Sequence, residues 1–185
     1  MPKVVLITGM QAAGKSTIAP LLAARVGPPA ATIDGDVFYH AVVAGAAVMT
    51  PEASDEAVRQ LHLRYDATAL VARHYLEAGF DFVCSDIMMG DDVTCWLDSV
   101  ADLAEPHLVV LTPSIDSIVE RELARGSNSY RDWQPPGGTL ADAVKALQTG
   151  LADTPRRGRW LDTTGQTPDE TVATILEDDL KSSLW

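Results

Sequence analysis

The sequence predicts an α/β fold in which a parallel sheet is covered by helices on both faces. Three observations predict it. Short apolar, β-branched runs alternate with helical periodicities along the whole chain. The first run passes through a glycine-rich turn straight into a helix. The chain has 185 residues, 46% of them apolar, which suffices for one substantial core.

Val4, Val5, Leu6, Ile7 and Thr8 read as a buried strand that ends at Gly9. A helix follows over 15–25. Residues 31–33 make a second strand, closed by Asp34, Gly35 and Asp36, and 38–48 are expected to be helical. A long helix is predicted over 54–77. Its inward stripe is Val58, Leu61, Tyr65, Ala69, Ala72 and Leu76, spaced by threes and fours, and Gly79 stops it. Strand three covers 80–84 and ends at Ser85 and Asp86. Residues 91–103 are expected to be helical, 107–111 to be strand four, and 114–125 a helix stopped by Gly126. Residues 127–138 are rich in Gly, Pro and polar groups and read as a loop, the one segment suited to act as a lid. Thr139 opens a helix that turns Val144, Leu147 and Leu151 inward. Arg159, Trp160 and Leu161 are strand five. Thr167, Pro168 and Glu170 carry the capping-box signature of a last helix. No repeat or composition break divides the chain, so residues 1–185 read as one domain with a lid at about 125–138.

Charge and composition exclude several classes of partner. Lys and Arg number 14 against 26 Asp and Glu, for a net charge of −12. An acidic surface repels polyphosphate backbones and anionic bilayers, so neither nucleic acid nor membrane is an expected partner. No apolar run is long enough to span a bilayer. The first residues lead into a strand, not a secretory leader, and the two cysteines make neither a disulfide framework nor a metal set. A cytoplasmic protein, monomeric or homodimeric, is expected. His40, His62, His74 and His107 share no metal-ligand spacing.

The strongest motif is Gly9-Met10-Gln11-Ala12-Ala13-Gly14-Lys15-Ser16, which matches G-x-x-x-x-G-K-[ST] between a strand and a helix. Glycines let the backbone curl until successive N–H groups face inward. The helix N-terminus adds partial positive charge. Lys15 brings a full charge to the β- and γ-phosphates, and the Ser16 hydroxyl is an oxygen ligand for Mg²⁺. Gly9 to Thr17 are therefore the expected binding residues for ATP, with Mg²⁺ as its partner ion. A Ras-type GTPase needs an N-K-x-D base reader, and the one asparagine, Asn128, does not sit in one. The small kinases remain.

Ligands of such sheets bind outside the carboxyl ends of the strands. Asp34 ends strand two there, so it is the expected general base for an acceptor hydroxyl. Asp36 would orient the hydroxyl or hold a water on the metal. Both also fit an Asx turn with a helix cap. Asp86, at the end of strand three, is expected near Mg²⁺ and the substrate, with a helix cap as its plainer role. Met88 and Met89 could line a pocket or fill the core. Arg121 and Arg125 lie one turn apart before the lid and are expected to meet the nucleotide. Arg125 would also stabilise charge on the transferred group. Arg131 lies in the lid, and Arg156, Arg157 and Arg159 form a basic cluster that either approaches the nucleotide or offsets local acidity. After strand five, Asp162 to Thr164 offer main chain to an adenine edge.

The phosphate loop, the Ile33-Asp34-Gly35-Asp36 element and the lid resemble the small P-loop kinases of the nucleoside-monophosphate-kinase-like superfamily. The stretches 72–80, 107–111, 160–163 and 165–171 look like its chloramphenicol-phosphotransferase-like branch. That resemblance implies a three-layer fold around a five-stranded parallel sheet in the order 2-3-1-4-5. It implies Mg-ATP-dependent phosphorylation of a hydroxyl on a small organic molecule, antibiotic-like or sugar-like. Gly14, Lys15, Ser16 and Thr17 take the nucleotide roles and Asp34 the base role. The Asp-Gly-Asp triplet also resembles the substrate element of gluconate and adenylylsulfate kinases. The segment between Tyr39 and Glu56 should shape the acceptor pocket, and the acidic chain argues against a heavily phosphorylated acceptor. Two alternatives stand beside this reading. One is a nucleotide-dependent protein that sequesters its ligand without transfer. The other is a nucleoside or nucleotide kinase, whose acceptor phosphate could call only on Arg59, Arg64 or Arg73. Arg64 and Arg73 are not expected to face the pocket.

Overall fold

The computed structural model describes residues 1–185. Five parallel strands form one sheet in the order β2-β3-β1-β4-β5, as the resemblance implied: β1 Lys3–Gly9, β2 Ala30–Asp34, β3 Asp81–Ser85, β4 Glu105–Leu111 and β5 Arg159–Leu161. In β1 alternate side chains enter two different cores. Val4 and Leu6 pack beneath α3 Asp55–Glu77, α4 Asp91–Asp98 and α6 Leu140–Gln148. Val5 and Ile7 pack beneath α1 Lys15–Val26 and α7 Pro168–Leu176. A strand buried on both faces must be apolar throughout, and that is what its unbroken apolar run reports. No helix is long and apolar enough to cross a membrane.

Several boundaries differ from the sequence reading. The helix expected over 38–48 is the short α2 Asp36–Ala41, after which the chain runs irregularly to Ser54. Val42, Val43, Val48 and Gly45 are weak helix formers, and this stretch packs as the wall of a cavity. In α3, Ser54 caps the first turn by accepting from the Ala57 amide. Val58, placed on the inward stripe, is exposed, and the buried positions are Ala57, Tyr65, Thr68, Ala72 and Leu76. The stripe starts one residue earlier than the apolar spacing suggested. Helix α4 stops at Asp98 and not at Leu103, and Leu151 lies in a 3-10 turn beyond α6. Helix α5 Ile115–Arg125 ends at the left-handed Gly126 as expected. The loop expected to act as a lid holds one 3-10 turn, Arg131–Trp133. The capping box expected at Thr167 and Glu170 is formed, and a second one joins Thr139 to Asp142.

Candidate active site

The site lies at the carboxyl ends of β1, β2 and β3, where parallel sheets present their ligands. Gly9, Ala12 and Gly14 take φ of 136°, 59° and 106° and curl the loop. A Cβ on Gly9 would sit 2.5 Å from the Leu111 carbonyl oxygen, so β1 and β4 meet too closely there for any side chain. Lys15 opens α1 and is 8% exposed. Its Nζ donates to the carbonyls of Gly9 and Met10 at 3.0 and 2.9 Å. Burial lowers its pKa to about 8 against the pull of Asp86, Asp36 and Asp34. No acidic residue occupies the first turn of α1, and Ser16 and Thr17 are exposed, so its positive end is free for an anion.

The loop separates two clefts. The first, about 260 Å³, is lined by Gly14, Thr17, Arg121, Arg125, Thr163 and Gln166 among others. Arg121 donates to the Ala13 carbonyl at 3.1 Å and the Thr163 carbonyl at 3.3 Å, tying the loop to the turn after β5. The second is a cavity of about 370 Å³ on the other side. Its walls come from 38–49, from Leu61, Arg64 and Tyr65 of α3, and from Asn128, Ser129, Asp132 and Trp133 of the lid; Gln11 joins it to the phosphate loop. Met89 lines it, whereas Met88 is core.

The carboxylates sort themselves by place. Asp34 Oδ1 accepts from the Asp36 amide at 3.0 Å, an Asx turn, and Asp34 does not line the cavity. Asp36 does. Parallel pairing of Asp34 with Ser85, and the Gly35 amide donating to the Ser85 carbonyl at 2.9 Å, bring Gly35 against Asp86. Asp86 is 2% exposed. Its Oδ1 accepts from the Ile87 amide at 2.7 Å and pairs with Arg64 at 2.7 Å. Burial raises its pKa to about 6, although the Arg64 charge opposes the shift. Its other oxygen, Oδ2, is buried without a partner.

These residues fit Mg-ATP. The curled loop and the open end of α1 suit a triphosphate, and the Ser16 hydroxyl with the orphaned Asp86 Oδ2 offers the hard oxygen donors that Mg²⁺ prefers. Ser16 and Asp86 are the residues that would hold the ion.

The expectation that Arg64 turns away from the pocket is corrected. Arg64 lines the cavity, pairs with Asp86, and stands 3.7 Å from Asp36. The signal was present, because Arg64 lies three residues after Leu61 and so shares its face. Arg59 and Arg73 pair with Glu56 and Asp102 instead. The cluster Arg156, Arg157 and Arg159 is structural: Arg156 lies over Trp160, Arg157 over Trp185, and Arg159 pairs with Glu177. Arg131 lines neither cleft, whereas His40 and Tyr39 line the cavity. Tyr130 and Glu122 carry no motif and escaped the sequence reading. Tyr130 is 2% exposed and donates to the Gln11 carbonyl at 2.7 Å. Buried Glu122 accepts from Ser127 and Ser129 at the start of the lid.

No family model and no curated protein matches the chain. Solved structures do. A sugar kinase from Janibacter sp. HTCC2649 superposes with a TM-score of 0.63 at 16% identity, over 98% of this chain and 97% of its own. The tunicamycin resistance protein of Deinococcus radiodurans gives 0.62 at 19% identity, over 100% and 98%. The Mycobacterium tuberculosis APS kinase in complex with AMPPNP and APS gives 0.60 at 17%, over 95% and 96%. At these identities the shared property is the fold.

Proposed function

We propose that the protein is a Mg-ATP-dependent phosphotransferase that moves the γ-phosphoryl group to a hydroxyl of a small organic molecule. The observation that carries this reading is the placement of one phosphate loop between two clefts, one at the open end of α1 and one with a carboxylate on its wall. The shared fold with kinases and with a tunicamycin resistance protein supports it.

The bound Mg-ATP supplies the phosphoryl group and neutralises charge on its oxygens. Lys15, released from the carbonyls of Gly9 and Met10, meets the β- and γ-phosphates. Arg121 and Arg125 hold the nucleotide side. The base role expected of Asp34 passes in this proposal to Asp36, because Asp36 lines the cavity, whereas Asp34 Oδ1 is engaged by the Asp36 amide. Asp36 takes the hydroxyl proton as the acceptor oxygen bonds to phosphorus and the bond to the departing ADP oxygen breaks. The lid residues over the cavity exclude water, which would otherwise be the acceptor.

The test is incubation with Mg-ATP and a pooled library of hydroxyl compounds, read by mass spectrometry for products heavier by about 80 Da, one phosphoryl group. A product lost in Lys15→Ala is the expected result. Asp36→Asn should lower its rate at least ~100-fold while nucleotide binding stays near wild type. Asp34→Asn should cost about tenfold or less, since the neutral amide still accepts the Asp36 N–H through its oxygen. The reverse order of the two variants would return the base role to Asp34. Ligand and nucleotide binding without any product would instead mark a sequestering protein.

A further inference from the structure

The cavity wall carries one arginine and no lysine, and that arginine is already engaged. Arg64 reaches Asp86 at 2.7 Å and Asp36 at 3.7 Å from two different guanidinium nitrogens. Its side chain is only 11% exposed, so the pairing is shielded from solvent and hard to exchange for an incoming anion. An acceptor bearing a phosphate, sulfate or carboxylate would have to displace a buried carboxylate from its counter-ion. It would also meet Asp132 on the lid side of the same cavity. On the cavity wall itself two carboxylates, Asp36 and Asp132, stand against the one arginine, and like charge placed across a binding site is strongly disfavoured.

The rest of the wall favours the opposite ligand. Phe38, Val42, Met49, Leu61, Ile87 and Trp133 give it an apolar lining. Gln11 Oε1, at the phosphate-loop end, is buried without a partner. An orphaned acceptor of this kind is satisfied by a hydroxyl or amide N–H of a ligand and not by an anion, which has nothing to donate.

Resting on the phosphotransferase reading, we infer that Arg64 is a specificity-determining residue held as an internal counter-ion, and that the acceptor is therefore a largely apolar alcohol with no anionic group. The role reverses the usual one of a pocket arginine. Arg64 neutralises carboxylates of the site, and by being occupied it denies the cavity to charged metabolites.

Matched probe pairs test this by ligand-observed NMR in the presence of Mg-AMPPNP. Suitable pairs are tryptophol with indole-3-lactate, 2-phenylethanol with 3-phenyllactate, and adenosine with its 5′-monophosphate. The expected result is binding of neutral members, each at least ~10-fold tighter than its anionic twin. Asp86→Asn removes the negative charge that pairs with Arg64 and weakens their contact, so it should narrow that gap several-fold, with Mg-AMPPNP binding measured beside it because Asp86 also faces the ion site. Arg64→Met should leave the neutral preference in place; it is a second variant should Asp86→Asn fail to fold. An anionic member that binds as tightly as its twin in the wild-type protein overturns the inference, as does failure of every neutral member to bind. Loss of anion binding in Arg64→Met would make Arg64 an anion clamp and overturn it as well. Binding requires no transfer, so neutral ligands that bind yet yield no Lys15-dependent product would refute the phosphotransferase reading and leave this one standing.

Discussion

Gly35 has a φ of −60°, open to any residue, yet the position tolerates only hydrogen. A Cβ there would lie 1.8 Å from Asp86 Oδ2. The obstacle is a buried carboxylate fixed by Arg64 and the Ile87 amide, so it cannot swing aside cheaply. Gly35→Ala should cost about 1–3 kcal/mol in urea denaturation, the usual range for overpacking. The proposed phosphoryl transfer should slow as well, because relief of the clash moves either Asp86 or the Asp36 loop. Unchanged stability would mean that β2 and β3 do not hold these residues together. This is a contact that the sequence could not display. Asp34-Gly35-Asp36 was legible as a turn beside the phosphate loop, but which carboxylate faces the cavity depends on the amide that Asp34 accepts. Arg64 is a related case, since it reads as turned away from the pocket although its spacing from Leu61 places it on the same face.

At the scale of elements, β1, α1 and α7 were legible because local signals and tertiary demand agree there: an apolar run buried on both faces, a glycine loop, a capping box. The 38–48 stretch was not, since cavity walls follow the shape of a ligand and not a period. The C-terminal turn Lys181–Ser183 was equally hidden, because its anchors are long-range: Arg159 of β5 donates to Ser182, and a buried histidine of β4 lies against Leu180 and Ser183. His107 is 1% exposed, its Nδ1 lies 3.2 Å from the Leu180 carbonyl, and Leu184 bridges to it antiparallel. Burial lowers its pKa below 6.5, although Glu105 pulls the other way. The folded state thus binds fewer protons here than the unfolded chain. The stability tied to neutral His107 is complete above pH 6.5 and is lost as pH falls through the depressed folded value. Melting temperature should therefore drop more steeply as pH falls below 6.5 in the wild type than in His107→Gln, which has no proton to take up. Parallel curves would show that the histidine does not set the acid limb.

Across the whole molecule, one continuous segment roofs both clefts. Helix α5 gives Arg121, Ala124 and Arg125 to the cleft at the N-terminal end of α1, and the loop after it gives Asn128, Ser129, Asp132 and Trp133 to the cavity. Between them Tyr130 is buried and bonds to the Gln11 carbonyl of the phosphate loop, while Glu122 holds the start of the loop through Ser127 and Ser129. Composition marked this stretch as a lid, but its polar, proline-rich sequence gave no hint of the two residues that fasten it. The fastening has a measurable strength. A hydrogen bond of this kind contributes about 0.5–1.5 kcal/mol, so Tyr130→Phe should raise the population of the open lid ~2- to 10-fold while the ring stays packed. Trypsin reads that population, because Arg125 and Arg131 flank the tyrosine and both are exposed. Cleavage at these two sites should quicken in Tyr130→Phe by the same factor, and Mg-AMPPNP should slow it in the wild type by holding Arg121 and Arg125 against the nucleotide. Cleavage at wild-type speed in the variant would mean that Glu122 alone fastens the lid. The coupling between the two clefts would then run through α5 and not through the phosphate loop.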